Sequence, residues 1–470
     1  MSRLLIKNLN VIATLDANGT ELRNADILIE GPAIKEIGYE LTPSDDTRVI
    51  DGRGKVALPG FVNTHHHMYQ IYTRDLPRTA NALDIFDWLR VNYDIWHELD
   101  PELVYVSALV GLGLLLKTGC TLISDLFYVF PDTADKKLID AEIQAAKDLG
   151  ARFHPCRGGM SLDRSQGGIP PKDVVQSDEE IMLDCERLVK TYHDPSPFAM
   201  TRIALAPCSP FSVTSNLMRE TIQFARKHGL QCHTHLAEAP LEDVWCAEMF
   251  GMRPFEYMES LDWVGPDVWY AHSIYVNTEE IKRMGTYRCG VDSCPVCNAR
   301  AGHGIASILE MRKQGVRVGF GVDGAGGYGD MIAELQTAMV LHRYRVKDQE
   351  PLALEMLRIA SQGGAQVLGW DSLGSLEAGK AADLFLIDTR QLDYAGCTHD
   401  LITSVVMFGA NHIVDTTIVN GEIVVEGGRL TKMDEDSIVE RANKLSEKFI
   451  ARASKRTGMD YSGIPVRQSK

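Results

Sequence analysis

The 470-residue sequence predicts an α/β protein, a (β/α)8 barrel of the TIM type carrying a small β-sandwich built from both termini. Three observations carry that expectation. From Val56 onward, apolar runs, loops and amphipathic stretches alternate, the rhythm of a parallel sheet covered by helices. The apolar runs number eight, enough to close a barrel. Near both ends this rhythm gives way to short strands set between turn signals such as Asp16-Ala17-Asn18-Gly19 and Asn420-Gly421.

In chain order, short strands are expected over 4–8, 25–30 and 34–37. Barrel strands follow over 56–63, 121–126, 152–154, 202–206, 231–235, 268–272, 288–292 and 316–322. Helices such as 179–191, 217–228 and 305–314 separate them, with apolar positions recurring at helical spacing. Strands return over 383–387, 416–419 and 422–425. A helix over 437–454 closes the chain, and the polar tail from Lys455 is expected to be mobile. Residues 1–57 and 372–470 thus form the composite β-sandwich with its C-terminal helix, and residues 58–371 form the barrel.

Composition narrows the function. Apolar residues make up 45% and charged residues 24%, ordinary values for a globular protein. A net charge of −16 and the absence of any Lys/Arg-rich run argue against a nucleic-acid partner, and a small neutral or cationic molecule fits better. No stretch approaches the ~20 apolar residues of a membrane helix, and the first residues lack a leader pattern, so a cytoplasmic protein without a membrane partner is expected. The ten cysteines show no regular framework and read as reduced thiols. Cys294-Pro295-Val296-Cys297 is a lone CxxC, read as packing rather than as a redox or zinc motif.

In a barrel of this kind the chemistry lies at the C-terminal ends of the strands, so polar residues that end apolar runs matter most. Four runs end that way. The first closes on His65-His66-His67, where strand alternation puts His65 and His67 on one face and His66 on the other. A second ends in His233-Thr234-His235, with Glu238 three residues beyond His235, close enough to handle a proton without being a ligand. His233 shares the face of His235 one layer deeper and is read as structural. The third ends at His272 and the fourth at Asp323, a carboxylate that is costly at the end of an apolar strand unless a cation or donor meets it. Three imidazoles and a carboxylate suit a borderline divalent ion such as zinc, with iron as a substitute.

These residues resemble the amidohydrolase superfamily and, within it, the branch holding 8-oxoguanine deaminase and the s-triazine hydrolases. The resemblance covers nearly the whole chain: Leu58 to His67, Phe86-Asp87-Trp88-Leu89, Arg157 to Ser161 with Gln166-Gly167-Gly168, Ala206 to Phe211, His233 to Glu238, Val322-Asp323-Gly324 and Gly379 to Leu384. It implies His65, His67, His235 and Asp323 as metal ligands, with Glu238, His272 and Asp323 as catalytic groups beside the reacting water. No lysine closes the strand near Cys208, where two-metal relatives place one, which implies a single metal ion. A homo-oligomer, dimer or larger, is likewise implied. The expected reaction is hydrolytic deamination of an amino-substituted nitrogen heterocycle, an 8-oxoguanine-like purine, a pterin or a pyrimidine, with release of ammonia.

Gln70, Trp88 and Arg157 are expected near the mouth, where the resemblance lets them clamp a flat ring. Trp88 reads equally as helix packing, and Arg157 as the partner of a carboxylate. Two departures from the family pattern fall on substrate-facing loops. Asp292-Ser293-Cys294-Pro295 lacks the histidine that usually precedes Cys-Pro, and Ala325-Gly326-Gly327-Tyr328-Gly329-Asp330 replaces the usual Ala-Ser-Asn-Asp. The same site could instead remove chloride or an amine from an s-triazine, or open a cyclic amide. A non-catalytic binding protein on the same barrel is the remaining alternative.

Overall fold

The computed structural model describes residues 3–79, 84–324, 327, 329–347, 349 and 352–463. Eight parallel strands close a barrel: β1 Phe61–Asn63, β2 Cys120–Phe127, β3 Arg152–Gly159, β4 Ala204–Pro207, β5 Cys232–Leu236, β6 Val268–His272, β7 Gly290–Ser293 and β8 Arg317–Phe320. Neighbours in the barrel are neighbours in sequence, and Phe320 opposite Asn63 seals β8 to β1. Almost every strand residue is buried, because helices cover the outside and side chains fill the inside. Helix starts are chemically marked: Ser177 and Glu180 form a capping box ahead of Asp178–Tyr192, and Thr214 caps Ser215–His228.

The terminal segments make two sheets. Ala33–Gly38, Ala25–Glu30, Arg3–Leu9 and Thr47–Asp51 form one, in that spatial order. The other joins both ends of the chain, with Leu384–Asp388 pairing antiparallel to Lys55–Pro59 at its centre. Ile6, Ile27 and Ile29 of the first sheet share a buried cluster with Ala57, Leu384 and Leu386 of the second.

Several elements differ from expectation for local reasons. The run over 56–63 is two strands, Lys55–Pro59 in the terminal sheet and β1 in the barrel, parted at Gly60. A Cβ at Gly60 would sit 2.0 Å from Thr121 Oγ1, so only glycine lets the chain pass there. Strand β3 runs on to Gly159, past the expected end at His154, because both neighbouring strands pair with it there. The helix expected over 305–314 contracts to Ile308–Lys313. The tail is not free from Lys455: its helix continues to Thr457 and Tyr461 is fully buried. Of the loop 325–330, Ala325, Gly326 and Tyr328 lie outside the described residues. No described helix is long and apolar enough to cross a membrane.

One buried ion pair ties the base of the barrel to the terminal sheets. Arg152, at the start of β3, donates from Nε and Nη2 to the two carboxylate oxygens of Asp383, at 3.1 and 2.8 Å, and both side chains are almost wholly buried. Asp383 also receives the Asn420 backbone N–H at 2.8 Å. Removing one partner leaves a buried charge uncompensated. Asp383→Ala is therefore expected to cost about 3–5 kcal/mol of stability, read by denaturant unfolding.

Candidate metal centre

Strand alternation delivers His65 and His67 from the end of β1, His235 from β5, His272 from β6 and Asp323 from just beyond β8 to the same rim of the barrel. The potential ligand atoms of His65, His67 and His235 lie within 4.8 Å of one another, and so do those of His65, His272 and Asp323. Asp323 Oδ1 is 3.7 Å from His65 Nε2 and 3.5 Å from His67 Nε2.

The outer nitrogens of the three imidazoles decide what their inner nitrogens offer. Nδ1 of His67 lies 2.7 Å from the Leu126 carbonyl and Nδ1 of His235 2.7 Å from the Cys208 carbonyl. A carbonyl only accepts, so each Nδ1 carries the proton and each Nε2 a lone pair. His65 reaches the same state through His233. His233 Nδ1 donates to the Trp269 carbonyl at 3.0 Å, its Nε2 accepts from His65 Nδ1 at 2.7 Å, and His65 Nε2 is left buried without a hydrogen-bond partner. His67 Nε2 and His235 Nε2 then face each other 3.1 Å apart, lone pair to lone pair. That contact is repulsive without a cation between them. Ligands around a tetrahedral zinc ion at about 2.0–2.1 Å stand about 3.3–3.4 Å apart, so this donor set fits a divalent ion. Burial, the largest influence on each ring, holds the imidazoles below their ordinary pKa, His67 at about 3, so they are neutral donors at pH 7.

Two further groups flank the centre. His272 Nε2 is 3.8 Å from Asp323 Oδ2 and 3.8 Å from Glu238 Oε2, and its Nδ1 donates to Asn298 Oδ1 at 3.0 Å. Burial opposes charge on His272, but the carboxylates of Glu238 and Asp323 outweigh it and raise its pKa. Burial likewise opposes ionisation of Glu238, yet His272 and His303 hold that carboxyl well below its ordinary value. Asp323, His272 and Ala237, the residue before Glu238, all take the left-handed backbone region at φ of 59°, 67° and 53°. Such strain in non-glycine residues collects where a site must aim its side chains.

The expected ring-binding residues divide. Gln70 is buried, donates to the Tyr128 hydroxyl at 3.3 Å, and stands where a Cβ on Gly324 would meet its Oε1 at 2.0 Å, so it lies beside the Asp323 turn. Trp88 is half-buried and meets Trp96 edge-on at 5.5 Å. Trp96 in turn approaches Tyr128, which stands 5.1 Å from His67. Arg157 is fully buried and already engaged, with Asp184 at 2.6 Å, Gln176 at 2.9 Å and the Phe130 ring 3.9 Å beneath it. Its place is therefore in the wall, paired with a carboxylate.

Sequence reasoning missed three groups. Cys294 donates to Asp292 at 3.1 Å, so the first thiol of the CxxC serves a buried carboxylate beyond simple packing. Asn298 holds His272, and His303 Nδ1 lies 3.0 Å from Glu238 Oε1. The only early signal for the last was a polar residue between Gly302 and Gly304.

The sequence profile of the amidohydrolase family matches residues 56–424. The chain belongs to the amidohydrolase family. Within that family it is 36% identical to 8-oxoguanine deaminase of Pseudomonas aeruginosa over 454 residues, 96% of this chain and 100% of the relative. It is 34% identical to hydroxydechloroatrazine ethylaminohydrolase of Pseudomonas sp. strain ADP over 465 residues, 96% of each. The crystal structure of atrazine chlorohydrolase from Arthrobacter aurescens TC1 complexed with zinc superposes with a TM-score of 0.90 at 33% identity, covering 94% of this chain and 100% of that one.

Two substitutions separate ligand from support. His65→Ala is expected to leave the protein without stoichiometric metal, measured by elemental analysis. His233→Ala keeps every candidate ligand but frees the His65 tautomer, and should weaken metal affinity by about 10–100-fold in a chelator competition.

Proposed function

We propose that this amidohydrolase holds one divalent ion, zinc or iron in its place, on His65, His67, His235 and Asp323, and hydrolytically deaminates an amino-substituted nitrogen heterocycle. The observation that carries the reading is the convergence of three imidazole lone pairs on one point beside Asp323, with Glu238 and His272 facing it. The substrate class is an 8-oxoguanine-like purine, a pterin or a pyrimidine. It is supported by the 8-oxoguanine deaminase relative and by an isoxanthopterin deaminase 32% identical over 420 residues.

A bound divalent ion supplies the acidity that makes water a nucleophile near neutral pH. The chain's own groups do the rest. Asp323 takes the first proton from the attacking water. Glu238 delivers a proton to the ring nitrogen beside the attacked carbon, which makes that carbon more electrophilic, and then carries one to the departing amine. His272, fixed by Asn298, turns Nε2 toward both carboxylates and hydrogen-bonds the developing oxyanion. Gln70 and Trp88 line the approach of the ring, and Arg157 stiffens the wall behind it.

A second reading keeps the centre and changes the leaving group to chloride or an alkylamine on an s-triazine, favoured by the 34% identity to the ethylaminohydrolase. All ten cysteines are free, nine of them buried, which supports a reducing cytoplasmic setting. The exposed apolar side chains of Val340, Tyr344 and Phe408 support assembly into a homo-oligomer.

Ammonia release from a panel of aminopurines (8-oxoguanine included), pterins and isocytosine tests the reading, and silence across the panel overturns it. Glu238→Gln is expected to lower kcat by about 10²–10⁴-fold, the scale of a lost proton carrier, with metal content unchanged. Full turnover in that variant would remove Glu238 from the mechanism.

A further inference from the structure

Glu238 has two oxygens, and they face different imidazoles. Oε2 lies 3.8 Å from His272 Nε2, toward the reacting centre. Oε1 lies 3.0 Å from Nδ1 of His303, a residue the mechanism above does not use. His303 Nδ1 makes no aligned hydrogen bond among the described residues, so what joins it to this oxygen is a close polar contact, in which a carboxylate oxygen can only accept.

The backbone shows that this meeting is built. His303 stands between Gly302 at φ 71° and Gly304 at φ 123°, conformations that L side chains rarely adopt. Its N–H donates to the Asn298 carbonyl at 2.9 Å, and its carbonyl accepts the Tyr275 hydroxyl at 2.6 Å. Tyr275 belongs to the loop that holds Glu238 from the other side, because the N–H groups of Ile274 and Tyr275 both donate to the Ala237 carbonyl at 3.0 Å. The Glu238 N–H is itself fixed on Glu242 Oε2 at 3.1 Å. One scaffold thus sets both the carboxylate and the ring that meets it. Side-chain exposure is 15% for His303 and 14% for Glu238, so little water competes for the contact.

We propose that His303 is a positioning residue for the deamination: by occupying Oε1 it fixes the rotation of the Glu238 carboxylate and leaves Oε2 to move protons. This rests on the aminohydrolase reading above. Hydrolysis adds the water oxygen to the ring carbon and breaks the carbon–amine bond, whose electron pair leaves with nitrogen. One water proton, taken first by Asp323, reaches the ring nitrogen by way of Glu238. The other, from the hydroxyl formed on the ring carbon, passes over Glu238 to the amine as the ring carbonyl closes. Both transfers use one oxygen of one carboxylate, so its orientation matters twice per turnover, and His303 itself neither gains nor loses a proton.

The test compares His303→Ala with His303→Asn, which keeps an N–H donor near the Nδ1 position without a titratable ring, on the ring of the panel that wild type turns over fastest. His303→Ala should lose about 10²-fold in kcat, the cost of a misaligned group, with KM within about twofold and metal content at the wild-type level. His303→Asn should recover most of that loss. An alanine variant as fast as wild type overturns the proposal, as does an asparagine variant as slow as alanine, or a fall in metal content that accounts for the loss. A wild-type enzyme silent on the whole panel overturns the functional reading and this inference with it, whereas an active wild type with an indifferent His303 overturns the inference alone.

Discussion

Two imidazole nitrogens held lone pair to lone pair at 3.1 Å are the constraint around which the rest of this structure is organised. Left alone, such a contact is unfavourable in a buried setting, and a third unpartnered imidazole nitrogen and a carboxylate at 3.5–3.7 Å compound it. A divalent cation reverses the sign of every one of these interactions. The groups behind the proposed ligands are arranged to the same end: the Leu126 and Cys208 carbonyls, and the Trp269 carbonyl acting through His233, each accept the outer N–H and turn a lone pair inward.

The barrel makes such a meeting possible because its strands end at one rim, and small residues clear the space there. A Cβ on Gly321 would sit 2.5 Å from Asp292 Oδ1 and 2.7 Å from His65 Cβ, so glycine lets the chain approach His65. The strained backbone at Ala237, His272 and Asp323 turns the chain away from the strand direction where each side chain must be aimed. Stability given up there is held by covered strands and by the Arg152–Asp383 pair beneath the barrel.

Much of the fold was legible in the sequence. Alternation of apolar runs with amphipathic stretches is a property of the chain itself, and each proposed ligand ended such a run, where a buried imidazole or carboxylate stands out. What could not be read were features set by tertiary contact. The break at Gly60 depends on Thr121, 61 residues away, and the length of β3 depends on neighbouring strands accepting Pro155. Arg157 stands near the mouth in sequence, but Asp184 on a later helix claims it. Asn298 and His303 lie on or beside a short helix with no periodicity to mark them, and only the closed barrel brings them to His272 and Glu238.

The most direct measurement is an anomalous-diffraction map of crystals grown with zinc. The account predicts one strong peak about 2.0–2.2 Å from Nε2 of His65, His67 and His235 and from a carboxylate oxygen of Asp323. A peak elsewhere, or no peak at this rim in protein that releases ammonia from its substrate, would contradict it.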